Sequence, residues 1–177
     1  MKNILSKCLI ALGVIFILFG AGLYIQTIIP TSIDPIAAEE TANSQYPTSI
    51  TINSINVNLS IIPSAKTNHK FETSKNGVTY LTDSVLPSQT GNSVFYGHNW
   101  SNLLGNLKNV KRGDTIELKY VNGEAKIFTV DLITELPAKY AKVSLESEQK
   151  VMTLYTCSGF LDSKRIIVTA NYSGSII

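Results

Sequence analysis

Cysteine, histidine, tryptophan and net charge are all scarce in this chain. Two cysteines, two histidines and one tryptophan stand among 177 residues, and 15 Lys+Arg against 13 Asp+Glu leave a net charge of +2. Neither Cys8 nor Cys157 belongs to a CxxC pair or a Cys/His cluster, which excludes a zinc site of ordinary ligand spacing. A disulfide between them is rejected, because Cys8 lies in an apolar N-terminal run and the bond would tie a membrane segment to a folded domain. The small charge, with no basic stripe carrying interleaved aromatics, excludes nucleic acid as a partner. No second long apolar run follows near the C-terminus, so one membrane crossing is all that is expected.

What the chain does have is one long uncharged run and enough further residues for one domain. Residues 8–29 (CLIALGVIFILFGAGLYIQTII) carry no charge, enough to cross a hydrocarbon core of ~30 Å at about 1.5 Å per residue. A cleaved signal peptide would have a shorter apolar core of about 7–15 residues and a small-x-small site. Lys2 and Lys7 precede the run and favour a cytoplasmic N-terminus. The expected plan is therefore a cytoplasmic N-terminus and transmembrane anchor over 1–29, an extracellular stalk over 30–47, and a globular domain over 48–177. The protein is placed at the cell membrane, single-pass, with that domain outside. The stalk is rich in Pro, Ser, Thr and Ala and lacks periodicity, with 37–41 the place for a short helical turn if part of it packs.

From residue 48 the apolar pattern has a period of two, which predicts strands over 48–52, 55–62, 77–82, 92–98, 115–121, 125–132, 151–157 and 165–172. Asn53-Ser54 breaks the first two, and Asn122-Gly123 predicts a hairpin because both residues tolerate positive φ. Helical turns are expected over 101–109 and 144–150. Eight short strands at regular spacing with few helices predict a mainly β fold, a closed or nearly closed barrel.

Three reactive side chains stand at strand ends. Cys157 closes one strand, Arg165 opens the next, and His98 follows Gly97 at the end of another. If 151–157 and 165–172 form an antiparallel hairpin with 158–164 as its loop, Cys157 and Arg165 face each other at its mouth. A guanidinium there favours a thiolate, or the oxyanion formed when a thiolate attacks a carbonyl. An imidazole can take and return the proton. Each residue alone has a plainer reading: Cys157 as a small core hydrophobe, Arg165 as a solvated loop charge, His98 as a backbone-satisfied histidine. His69, in the polar stretch Lys66-Thr67-Asn68-His69-Lys70, reads as a surface residue.

In combination, Gly97-His98, then Thr153-Leu154-Tyr155-Thr156-Cys157, then Arg165 resemble the sortase family. Flanking matches are Leu86-Pro87 with Gly91-Asn92, the turn Lys111-Arg112-Gly113-Asp114-Thr115-Ile116 (with Arg112 where the family usually has proline), and Ile52-Asn53-Ser54-Ile55-Asn56-Val57. The resemblance runs from about residue 50 to 172. It implies an eight-stranded sortase-type β-barrel with a few short helices behind one N-terminal transmembrane helix. It further implies a cysteine transpeptidase that cleaves an LPxTG-like sorting signal on surface proteins and passes the acyl group, through a thioester, to an amine of a peptidoglycan precursor or a pilin. By the resemblance Cys157 is the nucleophile, His98 the proton carrier and Arg165 the oxyanion and substrate holder, with Thr156 contacting substrate. The active pair in the family is thiolate with imidazolium. Leu136-Pro137-Ala138 or Leu145 would line an apolar pocket for the Leu-Pro of the signal.

No cofactor is implied. Some relatives bind calcium through acidic residues near the groove, but Glu72, Asp83, Glu124 and Glu135 are scattered here and assemble no site. Asp34-Pro35-Ile36 lacks the aromatic of a class C lid, and the stretch 136–150 is too short for a class B insertion, which leaves a class A-, D-, E- or F-like enzyme. Two rival readings stand beside this one. An L,D-transpeptidase-like enzyme would need His-Gly just before the cysteine, where this chain has Leu154-Tyr155-Thr156. A non-catalytic envelope binding module would keep Cys157 as core filler.

Overall fold

Alternating Ile, Val and Leu positions turn inward along each strand, and the strands close on themselves. The structure, a computed structural model, describes residues 45–65 and 72–177. The strands are β1 (Ser49–Ile52), β2 (Val57–Ser64), β3 (Val78–Leu81), β4 (Gly91–Gly97), β5 (Thr115–Lys119), β6 (Ala125–Pro137), β7 (Lys150–Ser158) and β8 (Lys164–Ile176). They form a closed barrel in the order β1-β2-β3-β4-β7-β8-β6-β5. The β2–β3 and β4–β7 pairs are parallel and the others antiparallel. Inward residues such as Ile50, Ile52, Phe95, Ile116, Leu118, Phe128, Met152, Leu154 and Val168 are wholly buried. Closure leaves no sheet edge to template aggregation.

β4 is buried along its whole length. Its inward Phe95 joins the main core, while Val94 and Tyr96 on the other side pack with Leu81, Val143 and Tyr155 in a second, small cluster. That second cluster lies outside the barrel wall and underlies the site described below.

Several local expectations shift. Ile55, expected to start the second strand, sits in a 3-10 turn, Asn53–Ile55, and Asn56 at φ +54° turns the chain before Val57. Asparagine tolerates that left-handed conformation, which most residues avoid. The Asn122-Gly123 hairpin is present, but only Gly123 has positive φ, +85°. The N–H of Gly123 bonds to the Tyr120 carbonyl and that of Tyr120 to the Glu124 carbonyl, so the turn is the longer, glycine-bulged kind. β6 runs five residues beyond its expected end, and β8 runs to Ile176, because the two pair along most of their length despite two bulges.

The helical turn expected over 101–109 is a 3-10 turn, Leu104–Asn109, whose Leu104 and Leu107 are wholly buried. The turn expected over 144–150 is not there. Asn92 takes the backbone of that segment, through its Nδ2 to the Ser144 carbonyl (2.6 Å) and its N–H to the Leu145 carbonyl (3.1 Å). Ser144 and Ser147 accept the N–H groups of Glu146 and Gln149. Such side-chain bonds offer the backbone an alternative to helix.

Among the described residues no helix is long and apolar enough to cross a membrane. The anchor expected over 8–29, most of the expected stalk, Asp34-Pro35-Ile36 and His69 lie outside the described residues.

Candidate active site

The β7–β8 hairpin has the expected register, with Cys157 opposite Arg165. Ser158 and Lys164 also pair, so the connection is the five residues 159–163 rather than seven. Gly159, Leu161 and Asp162 all have positive φ, at +74°, +50° and +56°. Two of these are not glycine, and such residues cost of order 1–3 kcal/mol each unless their surroundings hold them. Arg165 does part of the holding: its Nη1 donates to the carbonyls of Asp162 and Lys164, both at 2.8 Å. The guanidinium thus shapes the loop beside the thiol as well as facing it.

His98 arrives by a different route. β4 and β7 run parallel with Gly97 beside Thr156. The next residues are His98, just past the end of β4, and Cys157 on β7, and both line the same groove. Thr156 is buried and its Oγ1 donates to the Gly97 carbonyl at 2.8 Å, fastening the two strands at the level of the site. The residue expected to contact substrate lines the groove, but its hydroxyl is engaged in this bond.

His98 has two further partners. Its Nε2 lies 2.9 Å from Thr73 Oγ1, and its ring lies flat on that of Trp100, with centroids 4.4 Å apart and planes 6° apart.

His98, Cys157 and Arg165 all line one groove of about 850 Å³. One step along the strands from them, Tyr96 pairs with Tyr155, and Tyr155 with Ile167; side chains two residues apart share a face. The two tyrosine rings stack at 5.6 Å and, with Ile167, Val143 and Leu145, give the groove an apolar floor. Burial pushes both phenols up to about 12, so they stay neutral, and the Tyr96 hydroxyl donates to the Glu72 carbonyl at 3.0 Å. Of the residues expected at an apolar pocket, Ala138 and Leu145 line the groove and Leu136 and Pro137 do not.

Cys157 is half-buried. Burial pushes its thiol above the ordinary value, the Arg165 guanidinium opposes that, and the Asp162 carboxylate adds to it.

Of the four carboxylates named for calcium, Glu72 and Asp83 both act on the Tyr96 phenol. Glu135 is occupied by Lys164 Nζ and Ser158 Oγ, each at 3.0 Å, and these bonds hold its carboxyl below the usual range. Glu124 sits at the β5–β6 turn. Among the described residues no three His, Cys, Asp or Glu side chains converge.

Sequence reasoning missed Thr73, Trp100, Tyr96 and Tyr155. The tyrosines were within reach, since Tyr96 and Tyr155 each lie two residues before a singled-out residue and period two puts them on its face. Thr73 carried no signal, because the contact depends on how a loop returns to the barrel.

Comparison with known proteins agrees with this geometry. A family profile described as the Sortase domain matches residues 50–173. Among solved structures, a lid mutant of sortase A from Corynebacterium diphtheriae is similar at 28% identity with a TM-score of 0.63, covering 81% of each chain. Sortase C-1 from Actinomyces oris is similar at 28% identity with a TM-score of 0.56, covering 71% of each chain. Sortase A of Listeria monocytogenes shares the fold at 22% identity with a TM-score of 0.61, over 74% of this chain and 89% of that one. No curated protein sequence matches.

Proposed function

The chain belongs to the sortase family, and from that premise we propose that it is a membrane-held cysteine transpeptidase acting on LPxTG-like sorting signals of surface proteins outside the cell. The observation that supports this reading best is the meeting of two strand junctions at one groove: Cys157 opposite Arg165 across β7–β8, and His98, which follows the Gly97–Thr156 pair of β4–β7, lining the groove with them.

The signal peptide lies in the groove with its Leu-Pro side chains on the apolar floor and its Thr carbonyl at Cys157. The thiolate attacks that carbonyl and the tetrahedral oxyanion is stabilised by the Arg165 guanidinium. Collapse breaks the Thr–Gly C–N bond as His98 gives its proton to the leaving amine, leaving a thioester on Cys157. An amine from a peptidoglycan precursor or a pilin then attacks the thioester and gives a proton to His98, and the C–S bond breaks to return the thiolate. The scheme uses only these side chains and the two substrates. Burial disfavours the Cys157 thiolate and the Arg165 guanidinium favours it. Residues 8–29 hold the enzyme in the membrane, with the barrel outside, and the subclass is A-, D-, E- or F-like rather than B or C.

The half-buried thiol, pushed up by burial, also suits a binding module that does no chemistry, and one experiment separates the two. A library of LPxTG-type peptides is incubated with the protein and either triglycine or a lysine peptide, and products are read by mass spectrometry. A Thr-linked product that vanishes in Cys157→Ala and His98→Ala supports transpeptidation. Absence of any cleaved or transferred peptide with the wild type sinks it.

A further inference from the structure

His98 has two contacts that the scheme above leaves idle, Thr73 Oγ1 at Nε2 and the flat face of Trp100. The backbone of Trp100 is set firmly, while its side chain is exposed. The N–H groups of Leu103 and Gly105 donate to its carbonyl at 2.9 Å, and a Cβ on Gly105 would lie 2.7 Å from that oxygen, so only glycine allows the approach. The carbonyl of His98 accepts the N–H of Leu104, a wholly buried residue, at 3.1 Å. Backbone, ring face and one ring nitrogen of His98 are each fixed by a separate contact.

A proton-carrying imidazole must present the correct nitrogen, and which one holds the proton in the neutral ring is set by the hydrogen bond that the other makes. The Thr73 hydroxyl can donate or accept at Nε2. In the charged ring both nitrogens carry protons, Thr73 accepts from Nε2, and the Nδ1 proton is the one left for the leaving amine. We propose that Thr73 is a positioning residue that keeps neutral His98 as the Nε2–H tautomer, with Nδ1 serving the reaction, and that Trp100 is the clamp that stops the ring from turning over. The proposal rests on His98 being the proton carrier. As the C–N bond of the sorting signal breaks, the leaving nitrogen takes the Nδ1 proton, and the remaining ring proton stays on Nε2, donated to Thr73. When the incoming amine attacks the thioester, its proton goes to the Nδ1 lone pair, and the C–S electrons return to sulfur. One nitrogen gives and receives, so the ring need not rotate between the two halves. A neutral ring with its proton on Nδ1 would have nothing there to accept the second proton.

Two readouts are independent of turnover. Two-bond proton–nitrogen spectra of the full chain in detergent micelles, with His69→Gln to leave one histidine, should show the Nε2–H tautomer in Thr73 and Thr73→Ser proteins and a mixed population in Thr73→Val. Trp100 is the chain's only tryptophan, so its fluorescence should rise in His98→Gln as the stacked imidazole is removed. With a quenched LPxTG-type peptide and triglycine, Thr73→Val should lower kcat between about tenfold and a hundredfold, part of the range that acid–base catalysis supplies, with KM within about twofold. Thr73→Ser should recover most of the loss. An unchanged tautomer in Thr73→Val, or equal losses in Thr73→Ser and Thr73→Val, overturns the role of Thr73. Unchanged fluorescence in His98→Gln overturns the clamp. If the wild type turns over no peptide, the transpeptidase reading falls, while the tautomer spectra still decide for or against Thr73.

Discussion

Two junctions meet at Cys157, and they are built in opposite ways. β7 and β8 are neighbours in sequence, joined by five residues, and their antiparallel register puts Arg165 opposite the thiol. β4 and β7 are parallel, with 98–149 between them, and their register pairs Gly97 with Thr156, so that the residue after each, His98 and Cys157, reaches the same groove. A hairpin announces its register through its own turn and alternation. A parallel pair needs a long crossover, and nothing local states which residues will lie side by side. Beyond the strand pairing itself, the hairpin side is stapled by backbone-directed bonds from Arg165, and the parallel side by one buried hydroxyl, that of Thr156.

The sharpest way to break this contrast is to remove that hydroxyl. Thr156→Val keeps the shape but leaves the bond to the Gly97 carbonyl unmade, which should cost about 1–3 kcal/mol in a urea melt. If that bond sets the spacing of His98 and Cys157, turnover of a sorting-signal peptide should fall by up to about a hundredfold, the scale of a small misplacement of reacting groups. Unchanged turnover would mean that the strand register alone holds the histidine.

A smaller effect tests the hairpin side. The charged form of Cys157 is favoured by Arg165 and disfavoured by Asp162, so removing the cation should move the pH midpoint for alkylation by iodoacetamide further up. Asp162→Asn should move it down. Arg165→Ala with an unmoved midpoint would show that the facing pair is not electrostatically coupled.

The smallest effect belongs to Glu135, whose bonds to Lys164 and Ser158 lie on the surface of the same hairpin. Its carboxyl is held low, so any stability it contributes is present above its unfolded value and lost as pH falls through the folded one. An exposed pair of this kind contributes little. Glu135→Gln should leave the thermal midpoint at neutral pH nearly unchanged, and a large drop there would make this ion pair, rather than Arg165, the main staple of the hairpin.

The barrel was legible in the sequence because alternation of Ile, Val and Thr is a local signal and eight such runs close in few ways. Cys157 opposite Arg165 was legible for the same reason. The helical turn expected over 144–150 failed because Asn92, distant in sequence, takes up its backbone. Strand ends moved where Asn56 and the β6–β8 pairing decided them. Thr73 and the stacked Tyr96–Tyr155 floor were not foreseen, and only the tyrosines had a pattern that pointed to them.

By itself, then, the sequence determined the strand-rich class, the Cys157–Arg165 pair and, through its motif, the family. The tertiary structure alone decided that β4 lies parallel to β7, that Thr156 spends its hydroxyl joining them, and that Thr73 and Trp100 close around His98. The physical reason is one of range. Backbone alternation and hairpin register are fixed by residues within a few positions of each other. Contacts across a long crossover are selected by the packing of the whole barrel, since the entropy of closing a loop changes only slowly with its length and singles out no partner.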